Sequence, residues 1–160
     1  MKKIFSIVTA VLMVAALFTG CMEGTKAFTC QGMTMTVPVT MKDVSSQSDF
    51  SDFTFTLDSN KIAIFGVKEN FSDFDGKDMT LDDYAKAVIQ GNGLDALAIS
   101  RANKEYKYFR YEAEMSAGTY KYLAAVYMAE DCFWMIQVAA LEKDYNETDF
   151  FEYLDSVKFE

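Results

Sequence analysis

Five aspartates, Asp73, Asp75, Asp78, Asp82 and Asp83, fall within the twelve-residue stretch SDFDGKDMTLDD. Clustered carboxylates suit a hard cation such as calcium, which takes six to eight oxygen ligands. The spacing departs from an EF-hand loop. Counting from Asp73, Lys77 takes the third ligand position and Tyr84 the twelfth, where a bidentate Glu is needed. Asp73, Asp75 and Asp78 are therefore candidate ligands of an irregular metal site, and the plainer reading is a solvated loop leading into a capped helix.

Three cysteines, Cys21, Cys30 and Cys132, offer a second chemistry. Outside the cytoplasm Cys30 and Cys132 can pair, and a loop of about a hundred residues closed by that bridge would contribute about 4–5 kcal/mol in the loop-entropy account. The alternative is two buried thiols acting as small apolar residues. The chain contains no histidine. Histidine-based triads, the usual general base near neutral pH and the commonest metal ligand are thereby excluded. A nucleophilic cysteine lacks the histidine partner that most often lowers its pKa. With 24 acidic residues a carboxylate pair for glycosidase-type chemistry is conceivable, but nothing in the sequence singles one out, and no pattern calls for a cofactor.

Tyrosines concentrate in EYKYFRYEAEMSAGTYKYLAAVY: Tyr106, Tyr108, Tyr111, Tyr120, Tyr122 and Tyr127. Lys104, Lys107, Arg110 and Lys121 gather beside them as the only basic-leaning patch. Such tyrosines can form a recognition surface, or they can be strand residues stacked for structural reasons.

The elements that must position these groups follow from composition and periodicity. With 160 residues, 51% hydrophobic and 15% aromatic, the chain can bury one substantial core, and its single proline leaves no proline-rich linker to divide it. A net charge of −9 repels nucleic-acid phosphate, so nucleic acid is excluded as a partner. MTMTV and FTFTL alternate apolar and threonine residues, the signature of strands with one wet face. FTFTL, the turn cluster DSN and KIAIFGVKE predict a hairpin over residues 53–69, and Gln31–Gly32 predicts a tighter turn before MTMTV. Thr80 and Asp83 have capping-box spacing, and Leu81, Tyr84, Ala85 and Val88 share a helical face that ends at Gly91 and Gly93. Three long strands follow, over residues 106–115, 119–129 and 132–141. The last two are apolar on both faces, which requires cover on both. Val126, Met128, Trp134, Ile136 and Val138 are expected on one face, with Leu123, Ala125, Phe133, Met135 and Leu141 on the other. A final helix, capped by Asn146 or Thr148, carries Phe150, Phe151, Leu154 and Val157, and VKF closes the chain as a short strand.

The N-terminus has its own logic. Lys2 and Lys3 precede a 15-residue apolar run over residues 4–18, the length of a secretory h-region and shorter than the roughly 20 residues that span a bilayer. Thr19 and Gly20, both small, stand before Cys21. This arrangement resembles a bacterial lipoprotein signal, although Phe18 occupies the place usually held by an aliphatic residue. The resemblance implies diacylglyceryl transfer to Cys21 and cleavage before it. Residues 1–20 are then a signal peptide, 21–26 a lipidated tether and 27–160 a single domain. Two or more acyl chains anchor stably to a membrane. Cleavage would remove Lys2 and Lys3 and no acid, so the mature chain is two charges more negative than the full one and is repelled by anionic lipid.

The order of strands, helix, antiparallel strands and helix is an α+β arrangement, an antiparallel sheet with helices on its faces. On TVPVTM, the 53–69 hairpin, TLDDYAKAVI, YKYLAAVYMAEDCFWMIQVAA and FFEYLDSVKF, the chain resembles the PsbP-like α/β/α sandwich over residues 27–159. The metal-linked role of the photosystem member does not carry over, because this chain has no histidine. The expectation is a lipid-anchored protein on the extracytoplasmic face of a bacterial cell membrane, a non-enzymatic binding or accessory module for a protein or small ligand. The alternative is a carboxylate-based hydrolase or a calcium-binding surface protein.

Overall fold

The chain enters its first sheet earlier than the polar composition of residues 21–26 predicts. Strand β1 (Thr25–Cys30) already includes Thr25 and Lys26, which pair with Pro38 and Val37 of β2 (Met33–Pro38). Backbone pairing and the bond from Lys26 Nζ to the Met41 carbonyl at 2.8 Å hold this end in place. Gln31 and Gly32, both at positive φ (47° and 82°), make the two-residue turn. Turns of this kind match the right-handed twist of a hairpin. The computed structural model describes residues 24–57, 61–74 and 79–160. No described helix is long and apolar enough to cross a membrane.

After β3 (Lys42–Asp43), the expected hairpin forms from β4 (Phe53–Leu57) and β5 (Ile62–Asn70), with Phe53 opposite Gly66. Helix α1 (Leu81–Gly91) follows, then the short β6 (Ile99–Ser100) and three long strands, β7 (Tyr106–Met115), β8 (Gly118–Met128) and β9 (Cys132–Leu141). Helix α2 (Glu147–Asp155) leads to β10 (Lys158–Phe159). The strands form two antiparallel sheets. One has seven strands in the order β3-β4-β5-β9-β8-β7-β6; the other has three, β1-β2-β10. The sequence suggests one sheet. The second arises because β10 pairs with β2 at Thr34 and Met33, so the first and last described strands lie outside the large sheet.

Each face of the large sheet has its own cover. On one face α1 packs Tyr84, Ala85, Val88 and Ile89 against Phe65, Phe109, Tyr122, Val126, Phe133 and Met135. On the other, Met33, Met35 and Val37 of the small sheet and Phe150, Phe151 and Leu154 of α2 cover Phe55, Ile64, Leu123, Trp134, Ile136 and Val138. Full burial of side chains this size stabilises by about 1.5–3 kcal/mol each. The layers are thus helix, sheet, and a mixed layer of sheet and helix.

Both capping expectations resolve in side-chain detail. Asp83 N donates to Thr80 Oγ1 at 3.2 Å and Thr80 N to Asp83 Oδ2 at 3.4 Å, a complete capping box. Asn146, rather than Thr148, caps α2, accepting from Thr148 N at 3.2 Å.

The facing of β8 and β9 corrects one expectation. Leu123 and Ala125 share their face with Trp134, Ile136 and Val138, while Val126 lies with Phe133 and Met135. The turn decides this. Ala129 N bonds the Cys132 carbonyl at 2.9 Å, setting Met128 opposite Phe133 and Val126 opposite Met135. Alternation within each strand fixes which residues share a side, but the register across the turn fixes which sides meet.

Candidate functional site

At residues 110–112, β7 reaches a part of the sheet where β6 no longer covers it, since β6 pairs only with Lys107 and Tyr108. Here Arg110, Tyr111 and Glu112 of β7 and Lys121 and Tyr122 of β8 line a cleft of about 460 Å³. Asp95, in the loop after α1, and Tyr145 and Glu147, at the start of α2, complete its walls. The β7–β8 register sets Tyr111 opposite Tyr122 and Glu112 opposite Lys121.

The charges in this cleft hold one another. Arg110 forks onto Glu147, Nε to Oε2 at 2.8 Å and Nη2 to Oε1 at 2.5 Å, and the Tyr145 hydroxyl donates to Glu147 Oε2 at 3.2 Å. The Arg110 bonds hold the Glu147 carboxyl below its usual range, and the same pairing raises Arg110. Glu147 also opens α2, where a negative charge is favoured by the helix dipole. Lys121 Nζ lies 2.8 Å from Glu142 and 3.6 Å from Glu112. Burial, then the Glu147 charge, pushes the Tyr145 hydroxyl up to about 12. Tyr111 and Tyr122 stack with centroids 4.4 Å apart. The Tyr111 hydroxyl donates to the buried Gln137 Oε1. The Tyr122 hydroxyl is buried without a hydrogen-bond partner among the described residues, and burial raises it to about 12.

A second polar cluster lies at the other end of α2. Asp155 accepts from Arg101 Nη2 at 2.7 Å, Arg101 Nε at 3.3 Å and the Tyr106 hydroxyl at 2.6 Å, and its carbonyl accepts from Lys104 Nζ at 2.9 Å. Arg101 also stacks over Phe151 at 3.8 Å. The basic-leaning patch of the sequence is therefore no open basic surface. Lys104 and Arg110 are tied to α2, Lys121 to Glu142, and Lys107 to Asp82 at 2.8 Å. Its tyrosines are mostly core: Tyr106, Tyr111, Tyr120, Tyr122 and Tyr127 are buried, and Tyr108 meets Phe151 edge-on.

The aspartate stretch divides differently. Asp73 Oδ2 accepts from Asn70 N at 3.1 Å, capping a single turn over Phe71–Phe74. Asp82 pairs with Lys107 and Asp83 caps α1. Among the described residues no group of His, Cys, Asp and Glu is placed to hold a metal ion. Asp75, Asp78 and Cys21 lie outside the described residues. Cys30 and Cys132 are free thiols that reach the same core cluster, Cys30 from the end of β1 and Cys132 from the start of β9. Burial, then Asp52, raises the Cys30 thiol, and burial with Asp131 pushes Cys132 up to about 11.

The sequence gives no warning of Asp95, Glu142, Tyr145 or Glu147 as cleft or ion-pair residues. Only Glu147 carries a signal, its place in the acidic first turn of α2, which in the sequence reads as dipole compensation.

No protein-family model and no curated protein matches the chain. Its architecture does have solved counterparts. The solution structure of cyanobacterial PsbP (CyanoP) from Synechocystis sp. PCC 6803 superposes with a TM-score of 0.56 at 13% identity, covering 92% of this chain and 99% of that one. The fold is PsbP-like. A crystal structure from Bacteroides thetaiotaomicron VPI-5482 superposes with a TM-score of 0.53 at 11% identity; the match spans 81% of this chain and 45% of that one. At these identities the likeness extends to the fold and stops there.

Proposed function

We propose that this protein is a lipid-anchored, extracytoplasmic bacterial binding module, held to the cell membrane through acylated Cys21, with the β7–β8–α2 cleft as its ligand site. The observation that supports binding over catalysis is the mutual neutralisation of the cleft. Arg110 is locked to Glu147 and Lys121 to Glu142, so both cations of the cleft are already committed. A general acid needs a raised pKa, and Glu147 is shifted the other way. A carboxylate hydrolase thus finds little support in this cleft. The anchor is supported by the basic n-region, the short apolar run and the small residues before Cys21.

Membrane fractionation tests the anchor. Cys21→Ser should move the protein from the membrane to the soluble fraction and abolish incorporation of labelled palmitate. Inhibition of the lipoprotein signal peptidase should leave a larger precursor. Retention of the serine variant at the membrane would refute the anchor.

A further inference from the structure

Resting on the binding reading above, we propose that the cleft takes a saccharide, an uncharged and polyhydroxylated ligand, through Asp95, Arg110, Glu112 and Tyr145. The cleft's volume, about 460 Å³, lies within the usual range for small-ligand sites. Its lining is unusual for such a site, because among the described residues it consists of charged side chains and tyrosines with no aliphatic one. Its apolar surface comes from the rings of Tyr111, Tyr122 and Tyr145, set among charged groups, so a wholly apolar ligand would bury those charges without partners. An anion would meet Asp95, Glu112 and Glu147; a cation would meet Arg110 and Lys121. A hydroxyl group donates and accepts at once, and the cleft offers both halves of that exchange. Asp95 accepts no hydrogen bond from any described residue. Glu112 has its nearest cation 3.6 Å away, so its oxygens keep lone pairs for donors. Arg110 uses Nε and Nη2 on Glu147, which leaves Nη1 to donate. The half-buried Tyr145 adds an aromatic ring beside these groups. Because β6 pairs with β7 no further than Tyr108, no outer strand among the described residues covers β7 at this point.

Calorimetry on the full-length protein in phosphatidylcholine nanodiscs tests this, with cellohexaose, chitohexaose and maltohexaose as probes and hexalysine and inorganic phosphate as charged controls. At least one oligosaccharide should bind. Glu112→Gln and Asp95→Asn should each weaken it by about tenfold, the scale of a lost hydrogen bond to a charged group, while leaving the melting temperature in place. Tyr145→Ala should weaken it further. Oligosaccharide binding unaffected by all three substitutions would overturn the assignment of the site. Binding of hexalysine or phosphate, with no oligosaccharide bound, would overturn the ligand class and leave the binding reading standing. Silence from all five probes would overturn both the ligand class and the cleft as a binding site, while the Cys21 fractionation tests the anchor independently.

Discussion

Gly66 sits in the middle of β5, and the ring of Phe53 lies directly over it. A Cβ at residue 66 would stand 2.3 Å from Phe53 Cε1 and 2.6 Å from Cζ, more than an ångström inside ordinary contact. The ring has nowhere to go. Phe53 is fully buried, with Phe28, Phe55 and Trp134 centroids 5.3, 5.8 and 6.1 Å away. Overpacking of this kind costs about 1–3 kcal/mol. The strain-free part of a Gly→Ala change works the other way, by about 0.4–1 kcal/mol, through the unfolded chain. The clash dominates, so Gly66→Ala should destabilise by about 2 kcal/mol and lower the melting temperature by roughly 5–10 °C. Phe53→Leu removes the offending ring atoms at the expense of a cavity. In that background Gly66→Ala should be close to neutral or slightly stabilising. Urea unfolding of the four proteins of this double-mutant cycle measures the coupling, expected at about 1.5 kcal/mol or more. Equal losses from Gly66→Ala in both backgrounds would refute the reasoning, because the penalty would then come from the strand and not from the ring.

Asp155 should matter most in acid. Desolvation tends to raise its carboxyl, but the bonds from Arg101 and Tyr106 outweigh this and the net shift is downward. A lowered folded-state pKa contributes stability above the unfolded value of about 4, lost as pH falls through the folded value. Glu147 is lowered too and adds in the same window. Asp155→Asn should therefore cost about 1–2 kcal/mol at pH 7, with the difference from the parent shrinking between about pH 4 and pH 2 in thermal melts; a constant difference across that range would contradict the assignment. In the α1-side core, Gln137 Nε2 is buried without a hydrogen-bond partner among the described residues while Oε1 accepts from Tyr111. Replacing both partners, Tyr111→Phe with Gln137→Met, should be neutral or stabilising in urea unfolding, whereas Gln137→Met alone should cost about 1–2 kcal/mol by orphaning the Tyr111 hydroxyl. Thiol labelling at pH 7 should be slow at Cys132, whose pKa is pushed to about 11, and faster at the less buried Cys30. Full protection of both thiols that disappears on reduction would instead show a bridge.

What the sequence could disclose follows from the range of each interaction. Capping of α1 spans three residues, Thr80 to Asp83, and is readable by eye. The alternations MTMTV and FTFTL report which side chains turn inward, and Met33, Met35, Val37, Phe53 and Phe55 are buried accordingly. Across the β8–β9 turn, one residue of uncertainty in the pairing exchanges the whole of one strand's faces relative to the other, and the bond at Ala129 that settles it has no compositional mark. The small sheet is hidden for a related reason. Its third strand is two residues long and pairs with a segment more than a hundred positions earlier.

The candidate site lies at the far end of that scale. Arg110 and Glu147 are separated by 37 positions, and Arg101 and Asp155 by 54. Read locally, the cations of β7 and β8 look like a basic patch on an acidic protein. Folding lays α2 along them, with Glu147 at Arg110 and Asp155 at Tyr106 and Arg101. The patch then becomes the seam that fixes the helix to the sheet. This placement also explains why the cleft is polar without being a charge trap. A partly exposed ion pair adds little stability alone, but two such anchors at opposite ends of one nine-residue helix fix its direction. The unspent hydrogen-bonding capacity is left on residues the seam does not use, Asp95 and Glu112. A ligand that competes for Arg110 or Lys121 must break a short ion pair, whereas one that donates to these two carboxylates displaces at most the longer contact of Glu112 with Lys121. The energetic preference for a neutral hydroxylated ligand therefore comes from the packing of α2, and substitutions that free the cations should shift the cleft toward anions. Glu147→Gln is the direct case: it should bring measurable phosphate binding in calorimetry, where the parent protein should show none.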